Sequence, residues 1–152
     1  MNFRFLFPLA LIGAAGPAVA QEADSVADRM SMAVSTTVER NLTDLLEPRM
    51  ILRVLLVAQQ RVIADLCDGY ELDPERFSAV MNNTLGELTG LVEEGQNNLV
   101  VDIVMVNLGI AMGGQRAVAA YDEAAYCANA QALRDELAGD TEGVISIWKP
   151  AP

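Results

Sequence analysis

One segment of the chain, residues 48–67, is apolar on almost every side of the helix that its spacing predicts. Only a narrow polar stripe of Arg49, Arg53 and Gln60 interrupts the apolar surface. A helix that is apolar around most of its surface has to be buried, so other elements must surround it. The segment therefore predicts a helical bundle with residues 48–67 at the centre of the core.

The rest of the chain supplies the surrounding helices. Apolar residues recur at helical spacing in several further stretches, which predicts helices over about 24–47, 74–95, 99–112 and 122–137. Pro48 and Asp73-Pro74 are typical helix starts, because proline suits the first helical position and aspartate caps it. The fold class predicted is all-α, a single-domain bundle of about five helices.

The run 99–112 is the least decided of these segments. Its β-branched residues would also suit a buried strand, but the chain offers no second run of comparable strength to pair with it, which favours a helix. Asp102 lies inside this run, where an ionised carboxylate needs an arginine from another helix or a position facing solvent.

Small residues follow in the pattern Gly109-x-x-x-Gly113-Gly114. This spacing predicts close packing between helices of the bundle, or a kink at the paired glycines. Asp102 and Asn107 interrupt the apolar run, which is shorter than the roughly 20 residues that a membrane span requires. No stable membrane insertion is therefore expected.

Two cysteines, Cys67 and Cys127, are the only ones in the chain. An even pair in an exported protein predicts a disulfide, here closing a loop that the chain-entropy treatment credits with about 4 kcal/mol. The pair lacks the C-x-x-C spacing of redox sites, so we expect a structural bond. It would tie the end of the second helix to the fifth.

The C-terminal residues 141–152 read as a short extended tail. Its β-like stretch 144–148 contains the only tryptophan, Trp148, which predicts docking. The sequence leaves open whether the tail docks on its own domain or whether Trp148 contacts a partner.

The N-terminal residues 1–20 predict a signal peptide. Arg4 precedes a short apolar run, and Ala18-Val19-Ala20 precedes polar Gln21, which is the small-x-small cleavage pattern. Cleavage between Ala20 and Gln21 would leave a helical domain over 21–140 and the tail. The expected location is periplasmic or secreted.

Composition excludes several classes of function. The chain contains no histidine, which removes Ser-His-Asp and Cys-His catalysis and histidine-ligated metals. The formal charge is −11 and becomes −12 without Arg4, which disfavours binding to nucleic acid or to anionic lipid. No catalytic, cofactor-binding or metal-binding residue is predicted.

Carboxylate clusters are expected to be solvated or to cap helices. The acidic loop between Asp65 and Glu75 does not have the ligand spacing of a calcium-binding loop. Adjacent acids on a helix point about 100° apart, so they do not converge as an acid–base pair would. These adjacent pairs are Glu93-Glu94, Asp122-Glu123 and Asp135-Glu136.

The sequence thus predicts a non-catalytic exported domain that binds an envelope protein or a small apolar ligand, and a homodimer is a further expectation. The layout of a signal peptide, a small helical domain and one disulfide is similar to that of periplasmic acid-stress chaperones. That resemblance covers the architecture only. The alternative is an acid-activated chaperone, because the charge would change from −12 to about +9 as the carboxylates titrate near pH 4, which could open the bundle and expose apolar faces. A carboxylate-based hydrolase of envelope glycan is a second alternative.

Overall fold

The computed structural model describes residues 25–90, 97–139 and 146–150, and these residues form a helical bundle. The predicted all-α class with five helices and one disulfide is confirmed. The helices are α1 Val26–Leu42, α2 Pro48–Leu66, α3 Pro74–Thr89, α4 Asn97–Tyr121 and α5 Glu123–Gly139. The predicted signal peptide and its cleavage site, Ala20 and Gln21, lie outside the described residues, as do 91–96 and 140–145.

Helix starts follow the predicted chemistry. Asp73 Oδ1 accepts hydrogen bonds from the backbone N–H groups of Glu75 and Arg76, at 3.0 and 3.1 Å. Pro48 occupies the first position of α2. Both predictions are confirmed. The N–H groups of a first helical turn have no partner within the helix; Asp73 accepts hydrogen bonds from two of them, and Pro48 has no N–H group.

The first helix is shorter than predicted and ends at Leu42 instead of near residue 47. The ring of Pro48 disfavours the helical conformation for the preceding residue, and Glu47 is accordingly extended at φ −66° and ψ 150°. The chain therefore leaves the helix in a turn before Pro48. Leu46 in this turn is nonetheless buried. The apolar pattern beyond Leu42 therefore indicated a buried residue and not a continuation of the helix.

The run 99–112, for which the sequence left helix and strand open, is helical and forms part of α4, which is 25 residues long. One side of α4 is buried and contacts all four other helices, chiefly α1 and α2. The core therefore has two central helices, where the sequence predicted one. The buried residues of α4 recur every three or four positions: Val100, Val104, Asn107, Leu108, Ala111, Gln115, Val118 and Ala119.

The glycines of α4 do not pack as predicted. A Cβ added to Gly109 or Gly113 would meet nothing within 4 Å, whereas one added to Gly114 would overlap both γ-carbons of Val34 on α1. The expectation that the Gly109-x-x-x-Gly113 pattern packs inside the bundle is therefore wrong. Gly114 is the residue that permits the close approach, and α4 passes through all three glycines without interruption.

The disulfide joins Cys67, the residue after α2, to Cys127 in α5, with Cα atoms 5.5 Å apart. This prediction is confirmed. Around the bond lies a second apolar cluster, which includes Val62, Ile63, Tyr126 and Trp148. The bond therefore crosses the core at the end of the bundle where α2, α5 and the tail meet.

Gly114→Ala should destabilise the fold by about 1–3 kcal/mol, because the branched side chain of Val34 has to move. This sign opposes the gain of up to about 1 kcal/mol that alanine ordinarily brings to a helix interior. Urea unfolding followed by circular dichroism measures both effects. Gly86→Ala on α3, where a Cβ meets nothing within 4 Å, is the matched control and should be neutral or stabilising. Equal midpoints for the two variants would contradict the close approach.

Candidate functional site

The tail docks on its own domain. Trp148 is 1% exposed, and Leu72 and Trp148 form an isolated antiparallel bridge. Asp73 N–H donates to the carbonyl of Ile147 and Lys149 N–H to that of Glu71, at 2.8 and 2.9 Å. The expectation that Trp148 contacts a partner is thus corrected, because the bundle already covers its indole.

Gln60 holds the tail from the centre of α2. Its Oε1 accepts the Ile147 N–H at 2.8 Å, and its backbone carbonyl accepts the indole N–H of Trp148 at 2.9 Å. The sequence placed Gln60 on the narrow polar stripe of this helix, and the structure shows that the residue is fully buried. A buried amide needs partners, and the tail supplies one for Oε1, whereas the buried Nε2 has no hydrogen-bond partner among the described residues.

An aromatic group closes the outer side of the tail. The Tyr70 and Trp148 rings meet edge to face with centroids 5.0 Å apart, and the Arg134 guanidinium lies 4.0 Å from the Tyr70 centroid. Lys149 pairs with Glu71 and holds the pKa of that carboxyl below its usual value. Because that pKa is depressed, the pair stabilises the fold above the ordinary pKa of glutamate and is lost as the pH falls. Both groups are exposed, so the effect is small.

A polar cleft of about 270 Å³ lies where the start of α1 meets α4 and α5. At its floor the Tyr126 hydroxyl donates to Gln115 Oε1 at 3.1 Å, and both residues are buried. Burial raises the pKa of the Tyr126 phenol well above its ordinary value of 10.0. A neutral phenol paired with an amide can order the core or bind a polar group, but it supplies no base near neutral pH.

Two of the carboxylates that the sequence singled out, Asp65 and Asp122, have structural partners. Asp65 pairs with Arg61 and Arg116, and Asp122 Oδ1 caps α5 by accepting the Ala125 N–H at 2.9 Å. Asp102, expected to pair or to face solvent, is exposed. The pair Glu93-Glu94 lies outside the described residues. Within the described ranges, no group of three or more acidic or cysteine side chains could hold a metal ion.

The outward side of α4 is the most unusual surface of the protein. Leu99 and Val106 are each 63% exposed and Met105 46%, although apolar residues of this size are mostly buried. We call this surface the α4 stripe, and its members recur every three or four residues along the exposed side: Leu99, Asp102, Met105, Val106, Gly109, Ile110, Gly113, Arg116, Ala117 and Ala120.

The apolar composition of α4 explains why the sequence did not reveal the α4 stripe. Segment Asn98–Tyr121 has a mean hydropathy of 1.3 and, among the residues described, is the one helix long and apolar enough to cross a membrane. Length and composition alone are weak grounds for a span, because core helices of soluble proteins also have them. An apolar helix shows no polar side in its sequence, so the pattern cannot tell which side faces out.

Comparison with known protein families, with curated proteins and with solved structures finds no match for this chain.

Gln60→Ala should lower the free energy of unfolding by about 1–3 kcal/mol, because the buried Ile147 N–H loses its acceptor. The fluorescence of Trp148 should shift towards the red as the indole gains access to water. Denaturant unfolding followed by this fluorescence measures both effects. Gln59→Ala, at the neighbouring half-buried position, is the control and should change the emission little. An unshifted emission in Gln60→Ala would show that the amide does not hold the tail.

Tyr126 should make the fold sensitive to alkali. The folded protein keeps the phenol proton above pH 10.0, where the unfolded chain releases it. The free energy of unfolding should therefore fall by about 1.4 kcal/mol per pH unit above that point. Tyr126→Phe should remove this fall, as measured by urea midpoints across alkaline pH. The exposed Tyr121→Phe is the control and should retain the fall.

Proposed function

We propose that this chain is a non-catalytic interaction domain of the cell envelope, which binds a protein through the α4 stripe. The observation that carries the proposal is the row of exposed apolar side chains along one straight helix, including Leu99, Val106 and Ile110. Contiguous exposed apolar surface is unfavourable in a free monomer and marks a site of contact. An apolar helix face that packs against a second helix is a common mode of protein recognition.

A small apolar ligand is a weaker proposal, because the clefts described are small. Pro48, Ile51, Leu52 and Leu55 line an apolar cleft of about 230 Å³, and the polar cleft near Tyr126 measures about 270 Å³. Pockets for small molecules usually have volumes of about 300–1,000 Å³. The α4 stripe, by contrast, extends for about 32 Å, since a helix rises 1.5 Å per residue.

The absence of histidine and the arrangement of the carboxylates support a non-catalytic role. Asp65, Asp73 and Asp122 make ion pairs or cap helices. Asp122 lines the same cleft as Asp28, but the Asp28 carboxylate accepts hydrogen bonds from Ser25 at the start of α1. An acid–base pair needs two such groups whose environments separate their pKa values. Zymography on cell-wall material would test the glycan-hydrolase alternative, and client aggregation at acid and neutral pH would test the acid-activated chaperone.

The proposed envelope location is supported by the signal-peptide pattern and by the disulfide. Cys67 and Cys127 have the geometry of a formed bond, and such bonds persist in oxidising compartments. Fractionation of the native host, with sequencing of the N-terminus, tests both the location and cleavage before Gln21. A cytosolic protein that retains residues 1–20 would contradict the proposal.

Val106→Glu should weaken partner binding by about 10- to 100-fold, because a buried valine contributes roughly 1.5–3 kcal/mol and the variant buries a charge instead. A photo-reactive residue at the nearby Met105 captures the partner in the host, and its yield with and without Val106→Glu is the measurement. Ala79→Glu, which adds the same charge at an exposed position of α3, should leave the yield unchanged. Equal capture in all three proteins would contradict the proposed surface.

A further inference from the structure

We propose that the partner of the α4 stripe is a second copy of this chain, packed antiparallel about a two-fold axis that passes beside Gly109. The inference rests on the proposed interaction function and identifies the partner. In such a pair each residue that precedes Gly109 faces one that follows it by the same number of positions in the other copy. Three features of the stripe fit this arrangement.

Charge is the first feature. Asp102 and Arg116 are the only charged residues of α4, both lie on the exposed stripe, and each is seven residues from Gly109. An antiparallel pair therefore sets each Asp102 opposite the Arg116 of the other copy. A parallel pair would set aspartate against aspartate and arginine against arginine, which is unfavourable.

Unbalanced charge beside the stripe is the second feature. Arg116 and Arg61 share one carboxylate, that of Asp65. The carboxylate of Asp102 makes no hydrogen bond or ion pair with any residue that the structure describes. The cluster thus has one cation more than it has anions, and Asp102 of the second copy would supply the missing carboxylate at each end of the interface.

Side-chain size is the third feature. The large apolar residues of the stripe that precede Gly109 are Leu99, Met105 and Val106. Beyond Gly109, the large residue Ile110 lies next to the axis, and the small residues Gly113, Ala117 and Ala120 follow it. Antiparallel packing places the large set against the small set. Gly109 and Gly113 have open space where a Cβ would be, so the two backbones can approach closely at the centre.

A lipid bilayer fits the stripe less well than a second copy does. Both charged residues of α4 would face the acyl chains, at about 2.5–3.5 kcal/mol each on insertion scales. The net charge of −11 also repels anionic lipid surfaces. A second copy instead gives Asp102 a cationic partner and gives Arg116 a second carboxylate beside that of Asp65.

Sedimentation equilibrium on the oxidised protein from the exported fraction tests association. One helix pair makes a small interface, so we expect a dissociation constant on the order of micromolar. Asp102→Arg, which sets arginine against Arg116 of the other copy, should weaken the dimer at least tenfold. Glu136→Arg, which makes the same charge change at an exposed position of α5, should leave it unchanged. Both variants should retain the helical circular dichroism and the Trp148 emission of the original chain.

Cross-linking with a short bismaleimide tests the orientation. Gly109→Cys places two thiols at the proposed axis and should cross-link. Asp102→Cys places them about 21 Å apart in an antiparallel pair and should not. Efficient cross-linking of Asp102→Cys would show a parallel pair and overturn the proposal.

The outcomes separate the two proposals. A protein that is monomeric at hundreds of micromolar, with no cross-link at position 109, overturns the second copy as partner. If Met105 then captures a different protein and Val106→Glu abolishes that capture, the α4 stripe remains an interaction surface. If liposomes alone compete for the stripe, both proposals are wrong.

Discussion

The rotation of α4 about its own axis is the constraint on which the rest of the structure depends. Apolar residues are found on both sides of this helix, so hydrophobic burial alone favours neither side strongly. Asn107 and Gln115 differ, because each is buried and needs a partner. Asn41 on α1 donates to Asn107 at 2.9 Å, and Tyr126 on α5 donates to Gln115 at 3.1 Å. A rotated α4 would bury Asp102 and Arg116 and would separate both amides from their partners Asn41 and Tyr126.

This constraint also determines what the protein presents to its surroundings. With Asn107 and Gln115 turned inward, Asp102, Val106 and Gly109 must face outward on the opposite side. The core and the α4 stripe are therefore two sides of a single helix. The close approach of Gly114 to Val34 fixes α4 against α1, so the outward side is held on a rigid support.

The sequence was sufficient for the fold and insufficient for the candidate site. Helical periodicity, the Asp73 cap and the cysteine pair predicted the bundle correctly. Periodicity and capping depend on residues that are close in sequence, and two cysteines can pair in only one way. The sequence could not show that Gly114 contacts α1 whereas Gly109 faces open space, because the spacing of glycines does not record which neighbour each of them meets. Gln60 was misplaced because its partner, Ile147, lies 87 residues away and no local pattern records that contact. The exposed side of α4 could not be recognised from the sequence, because it is apolar like the buried side.

The docked tail has a consequence for the order in which the molecule can be completed. Residues 146–150 close the slot over Gln60 and lie beside Tyr70 and Leu72, in mid-chain. Contacts of this sequence separation form late, because they depend on segments made at very different times. A nascent chain that has not yet released Trp148 lacks the largest fully buried side chain of its core. Until that residue arrives, the backbone carbonyl of Gln60 lacks its indole partner, and the core around it cannot pack completely.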